Sequence, residues 1–230
     1  MIRLADLGPM EQLRAGRLGR RIPQLLVGLW IYGLSMAMMI RSGLGLDPWD
    51  VFHAGVAAHV SLSFGTIVVV VGALVLLLWI PIRQAPGLGT IANVILIGVA
   101  TDVSLATIHR PADVFARTFL LLGGIALNGL AGALYIGAQL GPGPRDGLMT
   151  GLVGRTGWPI RVVRTGLEVS VLVIGFLLGG TVGLGTVLYA VAIGPIVQEL
   201  LPRVMVDLDA PRTEPRPVSE VVEIPFPDPA

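Results

Sequence analysis

Apolar residues dominate six stretches of the chain, and each stretch is about as long as a helix needs to cross a bilayer. A spanning helix requires about 20 mostly apolar residues, because it must cross a hydrocarbon core of about 30 Å. The six stretches are residues 23–41, 65–82, 88–108, 117–138, 162–180 and 184–201. The pattern predicts an all-α, polytopic membrane protein with about six transmembrane helices.

Residues typical of helix ends flank several of these stretches. Pro23 is predicted in the first turn of the first helix, where the missing N–H of proline has no intrahelical partner to lose. Pro81 lies near the end of the second stretch. The sequence Gly-Leu-Gly-Thr opens the third stretch at Gly87 and the sixth at Gly183. We expect the third and sixth helices to begin there.

The chain also repeats itself at a constant offset of 96 residues, without insertions. The matched pairs include Gly28 and Gly124, Gly33 and Gly129, Pro48 and Pro144, Asp50 and Asp146, and Gly55 and Gly151. Matches of glycine, proline and aspartate are not explained by a shared apolar composition, so they indicate a duplication. Each copy contains three predicted spans, an odd number, and the second copy would therefore enter the membrane from the opposite side. Such inverted-topology repeats occur in secondary transporters, whose site lies between the repeats.

The composition agrees with a membrane protein. Charged residues make up 13% of the chain and hydrophobic residues 53%, and the mean hydropathy is +0.80. A soluble domain has about 25% charged residues. The chain has no cysteine, which excludes disulfides and cysteine-based metal or redox sites.

The arginines predict the orientation, because cytoplasmic loops carry an excess of positive charge. With six crossings, Arg41, Arg110 and Arg117 fall outside. The other arginines near the spans fall inside: Arg14, Arg17, Arg20, Arg21, Arg83, Arg145, Arg155, Arg161 and Arg203. We therefore expect a bacterial cell (plasma) membrane protein, multi-pass, with cytoplasmic N- and C-termini.

Four segments follow from these patterns. Residues 1–22 form a cytoplasmic N-terminal segment, residues 23–108 the first membrane repeat and residues 117–203 the second membrane repeat. Residues 207–230 are rich in proline, aspartate and glutamate and lack the apolar content to fold. They are predicted to form a disordered, acidic cytoplasmic tail.

Each repeat carries a short insert between its first and second spans, at residues 42–53 and 139–148. In both, a glycine-rich turn precedes a proline, and an aspartate follows two residues later. This is typical of a short helix that begins at the proline, with Asp47 as N-cap in the first repeat and Gly143 in the second. Such a helix is either a half-helix that dips into the protein or an amphipathic helix on the membrane surface. Only the first alternative brings two helix N-termini to a binding site.

Charged groups within a bilayer are costly unless they are paired, so they are the candidate site residues. Arg164 and Glu168 lie four residues apart on one helix face and are predicted to form an ion pair, either structural or functional. Asp50 and Asp146 occupy matching positions, where they either cap a helix or bind a cation or amine. The complete candidate set for substrate binding is Asp102, Arg145, Asp146, Arg164, Glu168 and Asp50.

No catalytic or metal site is predicted. The chain lacks H-E-x-x-H, G-x-S-x-G and Walker A sequences. His53 and His59 are six residues apart and do not share a helical face, so they are a poor metal pair. We expect no enzyme activity, no cofactor and no nucleic-acid partner.

Three sequence elements in the second repeat carry a family resemblance. They are Gly-Pro-Arg-Asp-Gly-Leu at 143–148, Arg164 through Glu168, and Leu178-Gly179-Gly180 to Gly185-Thr186. With these elements, residues 20–203 resemble the YczE-like branch of the bacterial YczE/YitT integral membrane proteins. The resemblance implies a polytopic plasma-membrane protein and no particular substrate. The first repeat has Trp49 where the second has Arg145, so we expect an asymmetric site.

Two hypotheses of function follow. The first is a permease for a small molecule or ion, with a site between inverted repeats. The alternative is a non-transporting membrane scaffold, or accessory protein, that supports a partner. The lipid bilayer is the expected environment in both cases, and a homo-oligomer or a membrane partner stays open.

Overall fold

The structure is a computed structural model that describes residues 8–208, and within this range it consists of helices joined by short loops. The helices, in order, are α1 (Pro9–Arg14), α2 (Leu18–Ser42), α3 (Pro48–Ala57), α4 (Phe64–Leu77), α5 (Trp79–Ile82), α6 (Leu88–Thr107), α7 (Val114–Gly137), α8 (Pro144–Thr156), α9 (Ile160–Leu177) and α10 (Leu184–Val204). The prediction of an all-α fold is confirmed. The predicted tail, apart from its first two residues, lies outside the described residues.

Five helical segments are long and apolar enough to cross a membrane. They are α2, α6, α7, α10 and the nearly continuous pair of α4 and α5 over Phe64–Ile82. The sixth predicted span corresponds to α9, which has 18 residues and carries Arg161, Arg164 and Glu168. Three charged residues in so short a helix set α9 apart from the five apolar segments. The protein is therefore a multi-pass membrane protein, and a sixth crossing by α9 stays a prediction.

The first long helix begins earlier than its apolar pattern suggested. Helix α2 starts at Leu18 and contains Pro23 in its interior, so the prediction of Pro23 in the first turn was wrong. The added turn is stabilised by Arg21, which is fully buried. Its guanidinium donates to the carbonyl oxygens of Gln12, at 2.6 Å, and Ala138, at 2.8 Å. A charged side chain therefore extends the helix beyond its apolar segment.

The helices of the two repeats match at the offset of 96 residues. Helices α2, α3, α4 and α6 begin at residues 18, 48, 64 and 88, and α7, α8, α9 and α10 begin at 114, 144, 160 and 184. The loops before the short helices match as well. Gly45 and Gly141 both have positive φ, at +124° and +115°. Because this conformation disfavours residues with a side chain, the duplicated glycines preserve the loop that leads into each short helix.

The two copies pack against each other through equivalent small residues. Helices α2 and α7 lie side by side, with α6 against α2 and α10 against α7. A Cβ added at Gly28 would lie 3.0 Å from the backbone nitrogen of Tyr135 on α7. One added at the equivalent Gly124 would lie 3.1 Å from the backbone oxygen of Ser35 on α2. The glycine on α2 and the equivalent glycine on α7 thus both permit the close approach of these two helices, as is common between membrane helices.

Hydrogen bonds between the copies are reciprocal too. The backbone N–H of Gly89 donates to Leu140 at 2.7 Å, and that of the equivalent Gly185 donates to Leu44, equivalent to Leu140, at 2.8 Å. In a two-fold arrangement a contact from i to j is accompanied by one from j to i. These contacts are compatible with a pseudo-twofold pair. The membrane sidedness of the two copies stays a prediction.

Candidate functional site

The N-termini of the two short helices, α3 and α8, meet inside the molecule. The side chain of Asp47 accepts hydrogen bonds from the backbone N–H groups of Trp49, at 3.1 Å, and Asp50, at 3.3 Å. It is therefore the predicted N-cap of α3, and Gly143 occupies the N-cap position of α8. A helix N-terminus presents backbone N–H groups and a partial positive charge to its surroundings. Both inserts thus bring such an end to one place.

Arg145, in the first turn of α8, links the two N-termini. Its Nη1 lies 3.5 Å from Oδ1 of Asp47, and its Nη2 donates to the hydroxyl of Tyr32. The guanidinium carbon lies 5.7 Å from the ring centroid of Tyr32 and 5.6 Å from that of Trp49. Both distances are within the range of a cation–π interaction. Arg145 is consequently held by one carboxyl group and two aromatic rings.

A cavity of about 500 Å³ lies beside Arg145, between the short helices and α7, α9 and α10. Its polar lining includes Asn128, Tyr135, Asp146, Arg164, Glu168 and Tyr189. This volume is in the range of sites that hold a small molecule, which is about 300 to 1,000 Å³. In the first repeat, α4 packs closely along α6. The equivalent helices of the second repeat, α9 and α10, do not pack closely against each other, and both line the cavity.

Hydrogen bonds organise the polar lining. Tyr135 donates to Asp146, and Nε of Arg164 lies 3.0 Å from Oε1 of Glu168, so the predicted ion pair is confirmed. The hydroxyl of Tyr189 donates to Oδ1 of Asn128 at 3.0 Å. Side-chain networks of this kind fix the orientation of the groups that face a ligand.

The structure brings four of the six candidate residues to this cavity, namely Arg145, Asp146, Arg164 and Glu168. Asp50 lies just behind it with 1% of its surface exposed. Asp102 lies elsewhere. Its carboxylate accepts hydrogen bonds from Oγ of Ser63, at 2.5 Å, and from the backbone N–H of Gly65, at 2.7 Å, at the start of α4.

Neither Asp50 nor Asp146 occupies the N-cap position of its helix. Oδ1 of Asp50 lies 3.1 Å from Nδ1 of His53, and Asp146 accepts from Tyr135. Helix α8 has no side-chain hydrogen bond at its N-cap. Both carboxyl groups lie in the first turn of their helix, where the helix dipole favours an acid, and both also make side-chain contacts at the site, so the two alternatives for their role stay open.

The aromatic residues of the site were not among the predicted site residues. The chain has three tyrosines, and all of them, Tyr32, Tyr135 and Tyr189, line the cavity together with Trp49. The three tyrosines lie within long apolar stretches, where an aromatic residue is usually part of the core, so they were not recognised as site residues. The sequence signal that could have identified them is that tyrosine is rare in this chain. A tyrosine hydroxyl buried in an apolar region needs a hydrogen-bond partner.

Burial perturbs the titratable groups at the start of α3. It raises the pKa of Asp47 to about 8 and that of Asp50 to about 6, because a carboxylate loses hydration there. The neighbouring charge of Asp50 raises the pKa of Asp47 further, and Arg145 lowers it. Burial also lowers the pKa of His53 to about 4, and Nδ1 of its imidazole lies 3.1 Å from Oδ1 of Asp50.

The equivalent region of the first repeat is mainly apolar and much less spacious. There, a crevice of about 40 Å³ is lined by residues that include Val68 and Gly72. These two positions correspond, at the offset of 96, to Arg164 and Glu168. The predicted asymmetry of the site therefore reflects the absence of charged side chains from α4.

Comparisons with known proteins agree with this architecture. Residues 19–201 match a family described as a family of unknown function (DUF6198). An uncharacterized protein of Haemophilus influenzae is 42% identical over 182 residues, which cover 79% of this chain and 84% of that protein. The uncharacterized membrane protein YczE of Bacillus subtilis is 33% identical over 178 residues, which cover 76% of this chain and 83% of YczE.

A third relative, the uncharacterized protein YyaS of Bacillus subtilis, is 24% identical over 180 residues, which cover 76% of this chain and 90% of YyaS. No solved structure matches the chain. The resemblance to the YczE-like proteins, predicted from the sequence elements of the second repeat, is confirmed by the match to YczE. The chain therefore belongs to the family DUF6198 and is a YczE-like multi-pass membrane protein.

Proposed function

We propose that the protein is a permease for a small polar solute, which binds in the cavity between the two repeats. The observation that carries the proposal is the meeting of two helix N-termini, joined by Arg145, at the wall of a cavity of about 500 Å³. Secondary transporters built from repeats bind their substrates in this way, at short or broken helices near the repeat interface. The buried first turn of α3 and the partly buried first turn of α8 favour half-helices over surface helices.

The charges at the cavity indicate the class of solute. Arg145 and Arg164 are cationic, and Asp146 and Glu168 are their anionic counterparts. A site that carries both signs is complementary to a solute that carries both, such as an amino acid. The anionic group of the solute would bind Arg145 near the helix N-termini, and its ammonium group would face Asp146, Glu168 and the tyrosine rings.

The proposal includes no catalytic step, and we infer that the protein is not an enzyme. The charged groups of the cavity are engaged with one another, as in the Arg164–Glu168 pair. They can exchange these partners for a solute. Reversible binding of a solute by a permease requires that the charged groups of the site can exchange partners in this way.

The test is solute exchange in vesicles that contain the purified full-length protein. Labelled alanine, putrescine and lactate represent a zwitterion, a cation and an anion of suitable size. We expect exchange of alanine, with at least a tenfold loss in Glu168→Gln and Asp146→Asn, because each removes one charge-assisted contact worth about 1.5 to 3 kcal/mol.

Glu199→Gln is the matched control for this experiment. Glu199 forms an (i, i+4) ion pair with Arg203, as Glu168 does with Arg164, but it is exposed and lies away from the cavity. The control should exchange solute at the wild-type rate. Absence of exchange for all three solutes, together with a membrane protein that co-purifies in stoichiometric amount, would instead support the scaffold hypothesis.

A further inference from the structure

Two buried carboxyl groups belong to the start of α3: Asp47, the N-cap, lines the cavity, and Asp50 lies in the first turn of the helix. Asp47 and Asp50 are 2% and 1% exposed. Oδ1 of Asp47 accepts two backbone N–H groups and faces Arg145, while Oδ1 of Asp50 faces His53. Oδ2 of Asp50 is buried and has no hydrogen-bond partner. A buried carboxylate oxygen without a partner is unfavourable, so this oxygen calls for a ligand.

The surroundings of that oxygen favour a proton over a metal ion. The crevice beside Asp50 holds about 40 Å³ and is lined mainly by apolar side chains, among them Met36, Val68 and Val71. Among residues 8–208 no group of three or more acidic, histidine or cysteine side chains is arranged to hold a metal ion. A proton needs no further ligands, because a hydrogen bond between the two carboxyl groups is sufficient to hold it.

We propose that Asp47 and Asp50 form a proton-binding pair, whose proton affinity rises when the anionic group of a solute engages Arg145. The inference rests on the proposed permease function and names its coupling ion. Arg145 is the positive charge nearest to Asp47, with 3.5 Å between Nη1 and Oδ1. A solute anion that draws this charge away leaves Asp47 without its cation. The pair then binds its proton more tightly, so the binding of solute and the binding of the proton strengthen each other.

The pKa directions agree with this coupling. Burial and the charge of Asp50 raise the pKa of Asp47, whereas Arg145 lowers it. Weakening the contact with Arg145 therefore raises the proton affinity of the pair. The other titratable groups that face the pair, from α2, α3, α8, α9 and α10, are Tyr32, His53, Asp146, Arg164, Glu168 and Tyr189. On the side of α4 and α6 the crevice is apolar.

The experiment is infrared titration of the purified full-length protein, in which a protonated carboxyl group has its own C=O band. Between about pH 6.5 and about pH 9.5 an ordinary aspartate stays ionised, so a band that disappears in this interval identifies a perturbed group. We expect such a band in the wild type and its loss in Asp47→Asn. Asparagine can still cap α3, so this variant should fold.

Three further variants test the pair and its coupling. Asp50→Asn should lower the midpoint of the band, and Arg145→Gln should raise it. Asp113→Asn is the matched control, because Asp113 also caps a helix through its side chain but is exposed. It should leave the band unchanged. A wild type without the band, a band that persists in Asp47→Asn, or a midpoint that does not move in Arg145→Gln would overturn the proposal.

The readout needs no solute. A failure of the infrared test therefore contradicts the proton pair alone, and a failure of solute exchange in vesicles contradicts the permease.

Discussion

At the scale of single residues, two arginines that seemed to report only membrane orientation have a structural role. Arg21 donates to the carbonyl oxygens of Ala138 and Gln139 at the C-terminal end of α7. The equivalent Arg117 donates to Ser42 and Gly43 at the C-terminal end of α2. The last carbonyls of a helix have no intrahelical partner and carry partial negative charge, so a guanidinium satisfies and stabilises them. Each repeat thus caps the first helix of the other.

We expect Arg21→Gln to destabilise the protein by about 3 kcal/mol, because several buried carbonyl oxygens lose their donor. Thermal unfolding of the detergent-purified protein measures the effect as a lower Tm. Arg20→Gln is the control, since Arg20 is the neighbouring arginine but is exposed. Equal stability of the two variants would show that the cap contributes nothing.

The residues of the site were predictable only where charge made them conspicuous. Arg145, Asp146, Arg164 and Glu168 stood out in an apolar chain and do line the cavity. Their partners could not be inferred, because Tyr32 and Arg145 are 113 residues apart and no local pattern encodes that contact. Asp102 was singled out for the same reason of charge, but its hydrogen bonds fasten α6 to the start of α4.

At the scale of helices, the apolar stretches and the offset of 96 residues predicted nearly every element. The ends of the helices were harder to predict, as α2 shows, because a buried side chain outside the apolar segment determined where it begins. The duplicated glycines permit close helix packing. A Cβ at Gly33 would lie 2.7 Å from the backbone oxygen of Ile97 on α6. The equivalent Gly129 lies against the side chain of Ile196 on α10.

Gly33→Ala is therefore expected to force α2 and α6 apart and to cost about 2 kcal/mol, as overpacking of a tight contact does. Gly166→Ala is the matched control, because Gly166 is also within a helix and has nothing near its added Cβ. Alanine favours helix over glycine, so the control should be neutral or slightly stabilising. Both are compared by Tm. A Gly33→Ala variant as stable as Gly166→Ala would contradict the packing described for α2.

At the scale of the whole molecule, the two copies share a backbone and differ in their charges. The second repeat has a cavity of about 500 Å³ where the first has a crevice of about 40 Å³ lined mainly by apolar residues, and Val68 and Gly72 stand in place of Arg164 and Glu168. The duplicated backbone brings two helix N-termini together, and the unduplicated side chains give the site its chemistry. Reciprocal contacts between the copies are what an inverted pair requires.

Two of the arginines that were used to predict the membrane orientation do not distinguish its two sides. Arg21 and Arg117 occupy equivalent positions and cap equivalent helix ends, so in an inverted pair they lie on opposite sides and their charges cancel. The remaining arginines still favour cytoplasmic termini. The inverted arrangement itself can be tested without them, by the sidedness of equivalent loops.

The inverted arrangement of the two repeats is tested most directly by single-cysteine labelling at Val60 and Thr156. The two positions are 96 residues apart, lie after α3 and at the end of α8, and are exposed, and the chain has no native cysteine. In intact cells, a membrane-impermeant maleimide should label Val60→Cys from outside, whereas Thr156→Cys should react only after the membrane is permeabilised. Labelling of both positions from the same side would contradict the inverted pair and, with it, a site between two oppositely oriented repeats.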